Sequence, residues 1–371
     1  MKRMISLLLI AALLLGLAPA ALAETVIDTD EDRGIVLREV GRNTVPEGIS
    51  PTTGLPFSDM EQPEGFTGQA ITGRYMPMLV QIDNNEGGTN RMSPWGVNYA
   101  DIIYETPLHR YGSTRMTFLF SNLIPDSVGP VRSARIGHVW MQREWNCGFL
   151  FYGFQEHEKA NVSTEFSKYH LNSSGLLFSG TVSEHKPWKK YYTRRKGRPS
   201  PHNVNANVAA MSQLIPEDAV ALNNAFLFTD EPAVGDEATE VTIVQGSLAM
   251  LSSSRLIYNE QTDRYDRYLL DEDGGVIPYH DFDTGEQVGF NNVIIQFTDV
   301  RWYANDVPVT THIGEGNADF FMNGVHVAGY WKRPSMEDRT VFYGPDGAEM
   351  PMQRGRTLIV IIDKEKEVFY Q

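Results

Sequence analysis

One cysteine stands in 371 residues. A single thiol excludes an intrachain disulfide framework and any zinc site built from several cysteines. Positive charge is also in short supply. There are 32 Lys and Arg against 47 Asp and Glu, a formal net charge of −15. Affinity for nucleic acid comes mainly from Lys and Arg, so a general nucleic-acid binder is excluded. Long apolar runs are missing beyond the N-terminus, which leaves no transmembrane segment in a processed chain. No G-x-S-x-G elbow, P-loop, EF-hand loop or two-histidine zincin spacing occurs, and these motifs call for no cofactor.

What is present is ordinary globular material: 42% hydrophobic and 11% aromatic residues, over a length that fits about two domains. The N-terminus carries an address. Met1-Lys2-Arg3-Met4 is a positive start, residues 5–18 are almost continuously apolar, Pro19 follows, and Ala21-Leu22-Ala23 precedes Glu24. That is the pattern of a secretory signal peptide cut after Ala23. The run falls short of the about 20 residues a membrane span needs. The expected location is secreted or extracytoplasmic. Cys147, among Trp145 and Phe149, reads as a small buried hydrophobe.

The pattern divides the chain into residues 1–23, a signal peptide; 24–73, a linker or extended arm; 74–220, an α/β domain; and 221–371, a mainly β domain. The fold class this predicts is α+β, a mixed N-terminal domain followed by a β one. Apolar strands are expected at 78–82, 102–104, 116–120 and 149–152, and helices at 134–145 and 204–214. Beyond residue 225, strand patterns alternate with turn signals. Asn323-Gly324 between two apolar strands predicts a hairpin, because a type I′ turn needs positive φ at both central positions.

Chemistry concentrates in Gly129-Pro130-Val131-Arg132-Ser133-Ala134-Arg135. Ser133 is placed to cap the next helix. Cations at a helix N-terminus oppose its dipole, so Arg132 and Arg135 are not there for helix stability. With free backbone N–H groups they outline an anion site, which Arg115, just before the preceding strand, joins. Asp83 and Asn84 end the first strand, where open α/β sheets collect ligands. Asp83 is the candidate acid/base group, His202 a second proton-transfer group, and Asn203 a ligand contact. Asp101 reads as a capping or turn residue. His280, Asp281 and Asp283 fit a strand-edge turn better than a metal, and no metal site is expected. A basic-aromatic run, residues 186–198, adds a local positive field: Lys186, Trp188, Lys189, Lys190, Tyr191, Arg194 and Arg195 are its candidate surface contacts.

Taken in order, several segments resemble the YerB family, bacterial envelope lipoproteins of unknown function. They are Arg74-Tyr75-Met76-Pro77 with the strand to Asp83-Asn84, Ala100 to Glu105, Thr114-Arg115, Gly129 to Arg135 and Pro201-His202-Asn203. In the second half the matching segments are Tyr258 with Tyr265-Asp266-Arg267, His280-Asp281, Asn291 to Ile294, Gly314-Glu315-Gly316, Trp331-Lys332-Arg333 and Gly355-Arg356-Thr357. The resemblance spans roughly residues 70–363 and implies two modules in one envelope protein, without a reaction. This chain departs from it in lacking a lipobox cysteine after the signal peptide. The Pro-x-Arg turn before a helix is also similar to one in the LytR-CpsA-Psr phosphotransferases.

Two functions follow as expectations. One is a non-catalytic module binding an anionic envelope polymer, or another phosphate- or carboxylate-bearing ligand, through the arginines. The other is an enzyme acting on phosphoryl or glycosyl bonds with Asp83, His202 and the same arginines.

Overall fold

Strands buried along their whole length need cover on both faces. Four such strands form the centre of the N-terminal half: β1 (Met78–Asp83), β2 (Ile102–Pro107), β3 (Thr114–Phe120) and β4 (Gly148–Phe151), all buried throughout. β5 (Leu177–Ser179) follows at the edge. The computed structural model describes residues 24–57, 62, 66–70, 74–84, 93–181, 185–246, 253–270 and 275–371. The signal peptide read at 1–23 lies outside them.

The C-terminal half supplies β6 (Glu240–Val244), β7 (Ser254–Asn259), β8 (Arg264–Leu270), β9 (Asn292–Thr298), β10 (Gly314–Met322), β11 (Val325–Arg333), β12 (Thr357–Asp363) and β13 (Glu367–Tyr370). Both halves share one sheet. From the short edge strand Asp236–Glu237 its order is β11, β10, β9, β12, β2, β3, β1, β4, β5. The seam is the parallel pairing of β12 with β2, Thr357 opposite Ile102. A second sheet runs Thr25–Val26, β13, β6, β7, β8 and Val276–Pro278.

Strand alternation decides what covers each face. On one face Tyr104 accepts a hydrogen bond from Trp145 Nε1 at 3.0 Å, and Thr106 meets His138 at 3.2 Å. Both partners belong to helix α1 (Ile136–Trp145). On the other face Glu105 pairs with Arg267 of β8 at 2.8 Å, and Met116 lies under Tyr279. The central sheet is thus sandwiched between α1 and the second sheet.

This overturns the α+β expectation: the fold is mainly β in both halves. Among the described residues the α-helices are α1, α2 (Val162–Lys168) and α3 (Val208–Ser212), and the last two are short. The segment read as a helix at 204–214 opens as a strand, Val204–Ala206, paired with Tyr192–Arg194. Tertiary pairing outweighs its local helical preference. Asn207, whose Oδ1 accepts from Ala210 N at 2.8 Å, caps the single turn that remains.

The hairpin at Asn323-Gly324 forms as expected, with φ of 52° and 76°. Cys147 is buried and free, and burial pushes its thiol pKa up. Much of the arm's first described stretch, residues 24–57, straps the C-terminal half. Thr25–Val26 extends the second sheet beside Phe369 and Tyr370. Arg33 inserts against Asp319 at 2.9 Å and donates to the carbonyls of Ala318 and Gly329. Farther on, Thr52 Oγ1 reaches Ser121 Oγ of the N-terminal half at 2.6 Å.

Candidate functional site

β1 and β4 are parallel neighbours. The motif segment fills the space beyond their carboxyl ends. Asp83 N–H donates to Pro130 O, Arg132 N–H to Gln81 O, Tyr152 N–H to Arg132 O and Val131 N–H to Val204 O, all at 2.8–2.9 Å. These bonds fix the segment as an inserted strand, not as a loose turn before a helix. α1 starts at Ile136 with Arg135 at its N-cap position. Ser133 does not cap it, a correction to the sequence reading. Its Oγ donates instead to Tyr152 O at 3.2 Å.

The result is a cation cage around one carboxylate. Arg115 stands directly across from Asp83 in the β1–β3 ladder, and its Nη1 donates to Asp83 Oδ1 at 3.3 Å. Arg132 Nε lies 3.3 Å from Oδ2, an ion pair without a well-aimed hydrogen bond. His202 Nδ1 bonds the same oxygen. A carboxylate accepts, so Nδ1 carries the proton and Nε2 is left to exchange one. Asp83 and Arg115 have side chains only 2% exposed, whereas Arg132 is 25% and His202 22% exposed. The buried pair is therefore a foundation, and Arg132 and His202 are the members that reach solvent.

Arg135 completes the cluster. Its Nη1 donates only to its neighbour's carbonyl, Ala134 O, and its Nε has no partner among the described residues. Burial lowers its pKa to about 10, helped by Arg132; burial lowers that of Arg115 to about 9 against the pull of Asp83. Both remain cations at neutral pH.

His138 ties the cluster to the helix and was not legible as a site residue. Its Nδ1 accepts from Arg135 N–H at 3.0 Å, and Nε2 faces Thr106 Oγ1 at 3.2 Å. That bonding requires a neutral ring. Burial, with Arg135 and Arg115 nearby, holds its pKa well below 6.5. His312, buried and near Arg333, is pushed down to about 3. Asp101 is raised to about 6 by burial, although Ser121 and Asn122 hydrogen-bond it. It closes the turn after β3, as a turn residue should.

The three groups give stability a signed pH dependence. Below pH 6.5 the unfolded chain protonates both histidines while burial opposes this in the folded chain, so each costs stability as pH falls. Asp101 acts oppositely between about pH 6 and 4, because there the folded state holds the extra proton. These groups together predict a net loss of stability on going from pH 6 to pH 4, because two histidines oppose one carboxyl. Urea unfolding across that range checks it. His312→Leu should remove the net loss; an unchanged slope would mean that His312 is not held neutral.

The other predicted residues have been drawn into the frame. Asn84 is buried and donates to Glu105 Oε1 at 3.2 Å and Thr114 Oγ1 at 2.7 Å, on the sheet face opposite the cage. Asn203 Oδ1 accepts from Arg194 at 2.7 Å. Trp188 donates to Ser179 O and Lys189 to Gly180 O. Lys186 and Lys190 are exposed, and their ammonium groups lie over Trp188 and Tyr191. Arg195 makes a two-pronged pair with Asp283, 2.7 Å to each oxygen, and lies over Trp95. That clasp links the His202 loop to the C-terminal half. Asp281 accepts from Asp283 N–H and Thr284 N–H, closing a turn. Among the described residues no group of three His, Cys, Asp or Glu could hold a metal ion. No described helix is long and apolar enough to cross a membrane.

Residues 66–221 match the model for the N-terminal domain of a protein family of unknown function, DUF3048, and residues 246–359 match that for its C-terminal domain. The chain belongs to this YerB-like, two-module family. It is 24% identical over 301 residues to YerB of Bacillus subtilis (strain 168), a protein named as a lipoprotein, covering 80% of this chain and 83% of that one. It is also similar to the crystal structure of YerB from Bacillus subtilis, with a TM-score of 0.65 and 21% identity over 87% of this chain and 99% of the other. That likeness is one of fold.

Proposed function

We propose that this YerB-like chain is an extracytoplasmic envelope protein that binds a phosphate- or carboxylate-bearing ligand at Arg132, Arg135 and His202. The observation that carries the reading is a buried carboxylate already paired with two guanidinium groups, Arg115 and Arg132, with a third, Arg135, beside them at the start of a ten-residue helix. Guanidinium forks and free helix N–H groups both favour an anion. The signal-peptide pattern and the lipoprotein name of the Bacillus relative support the location.

Calorimetric titration with inorganic phosphate tests it. Arg132→Ala should weaken binding by ~1.5–3 kcal/mol, about ten- to a hundredfold. Equal binding by wild type and an Arg132→Ala/Arg135→Ala variant would refute the site. Pelleting of the protein with purified cell-wall fractions then asks whether an envelope polymer carries the ligand.

The His202–Asp83 bond favours a second reading, hydrolysis or transfer of a phosphoryl or glycosyl group. Asp83, enclosed by cations, would orient the ring, and His202 Nε2 would move the proton. Turnover of p-nitrophenyl phosphate or glycosides that is lost in His202→Ala supports it; a wild type inert toward both classes removes it.

A further inference from the structure

We infer that the ligand taken by the Arg132–Arg135 site is a phosphate monoester in its dianionic form. This rests on the anion-site reading above and narrows it to one class.

The argument is charge balance in a partly buried place. Asp83 and Arg115 face each other and cancel. Arg132 leans on the second oxygen of the same carboxylate, already shared with His202. Arg135 meets no carboxylate within ion-pair distance among the described residues, and its Nε donor is unused. His138 brings no charge, because its Nδ1 accepts from the Arg135 backbone. Among the described residues, three cations against one carboxylate leave an excess of two positive charges, before any proton on His202. The first-turn N–H groups of α1 add a partial charge of the same sign.

Donors are also left over, as at several other arginines of the chain. Arg115 is 2% exposed, yet its Nε lacks a hydrogen-bond partner, as does that of Arg135. Buried donors are expected to find partners. A monoanion such as a carboxylate or a phosphodiester would leave one positive charge uncompensated. A monoester carries close to two negative charges at neutral pH, with three acceptor oxygens for several guanidinium N–H groups. The sequence of charges along the motif therefore selects a phosphate terminus over a diester chain.

The test needs no variant to be decisive. Wild-type protein is titrated at pH 7.5 and fixed low salt with glycerol 1-phosphate, dimethyl phosphate and acetate. Glycerol 1-phosphate should bind at least about tenfold more tightly than either monoanion. Arg135→Gln, checked for an unchanged melting curve, should bring the affinities together by weakening the dianion most. Vesicles containing phosphatidic acid form a further arm: tighter capture than of glycerol 1-phosphate assigns a lipid monoester, and weaker capture assigns a soluble one. Equal affinity for monoester and diester overturns the dianion assignment while leaving an anion site. Failure of every probe to bind overturns both readings.

Discussion

Asp83→Ala should cost the fold about 3–5 kcal/mol, because it strands Arg115 as a buried, unpaired cation. The two side chains are each 2% exposed and directly opposed in the ladder, so Arg115 has no route to water without opening β3. Arg132 and His202 lose their shared anchor at the same time. Asp83→Ala/Arg115→Met should recover much of the loss, since an apolar pair of similar volume removes the stranded charge. Chemical denaturation of both variants measures this. A single variant within about 1 kcal/mol of wild type would show that the pair is solvated, against the burial described here.

Arg333→Ala should be of similar size, about 3–5 kcal/mol. Arg333 is fully buried at the end of β11 and pairs with Glu144 of α1 at 3.1 Å. It also donates to the carbonyls of Trp140, Met336 and Asp338. Truncation leaves one buried carboxylate and three carbonyl acceptors, that of Met336 buried, short of a donor. Since Arg333 ties α1 to the C-terminal half, the variant should also protect the α1 amides less from hydrogen exchange. Loss of stability with α1 protection intact would place the effect elsewhere.

The core was legible because its strands repeat at period two or run apolar throughout. The helix-like spacing of residues 204–214 misled, since strand pairing with Tyr192–Arg194 is a long-range fact absent from a local window. The cage was legible in part. Asp83, Arg115, Arg132 and His202 stand at strand ends and in a marked motif, and the structure brings them into contact. His138 was not, because one histidine in a helix carries no signal until its neighbours are known. The apolar spacing starts the helix at Ala134 and so makes Ser133 its cap, whereas the helix begins two residues later, at Ile136. The basic run showed its charge in sequence but not its partner, Asp283, which lies far along the chain.

The central claim is that the cage holds an oxyanion, and a heavy-atom mimic tests it most directly. Crystals of the wild-type protein soaked in sodium tungstate, a dianion of phosphate-like shape, should show one anomalous peak within hydrogen-bond reach of the Arg132 and Arg135 guanidinium groups. An empty cage at saturating tungstate, with Arg132 and His202 still gathered on Asp83, would contradict the account.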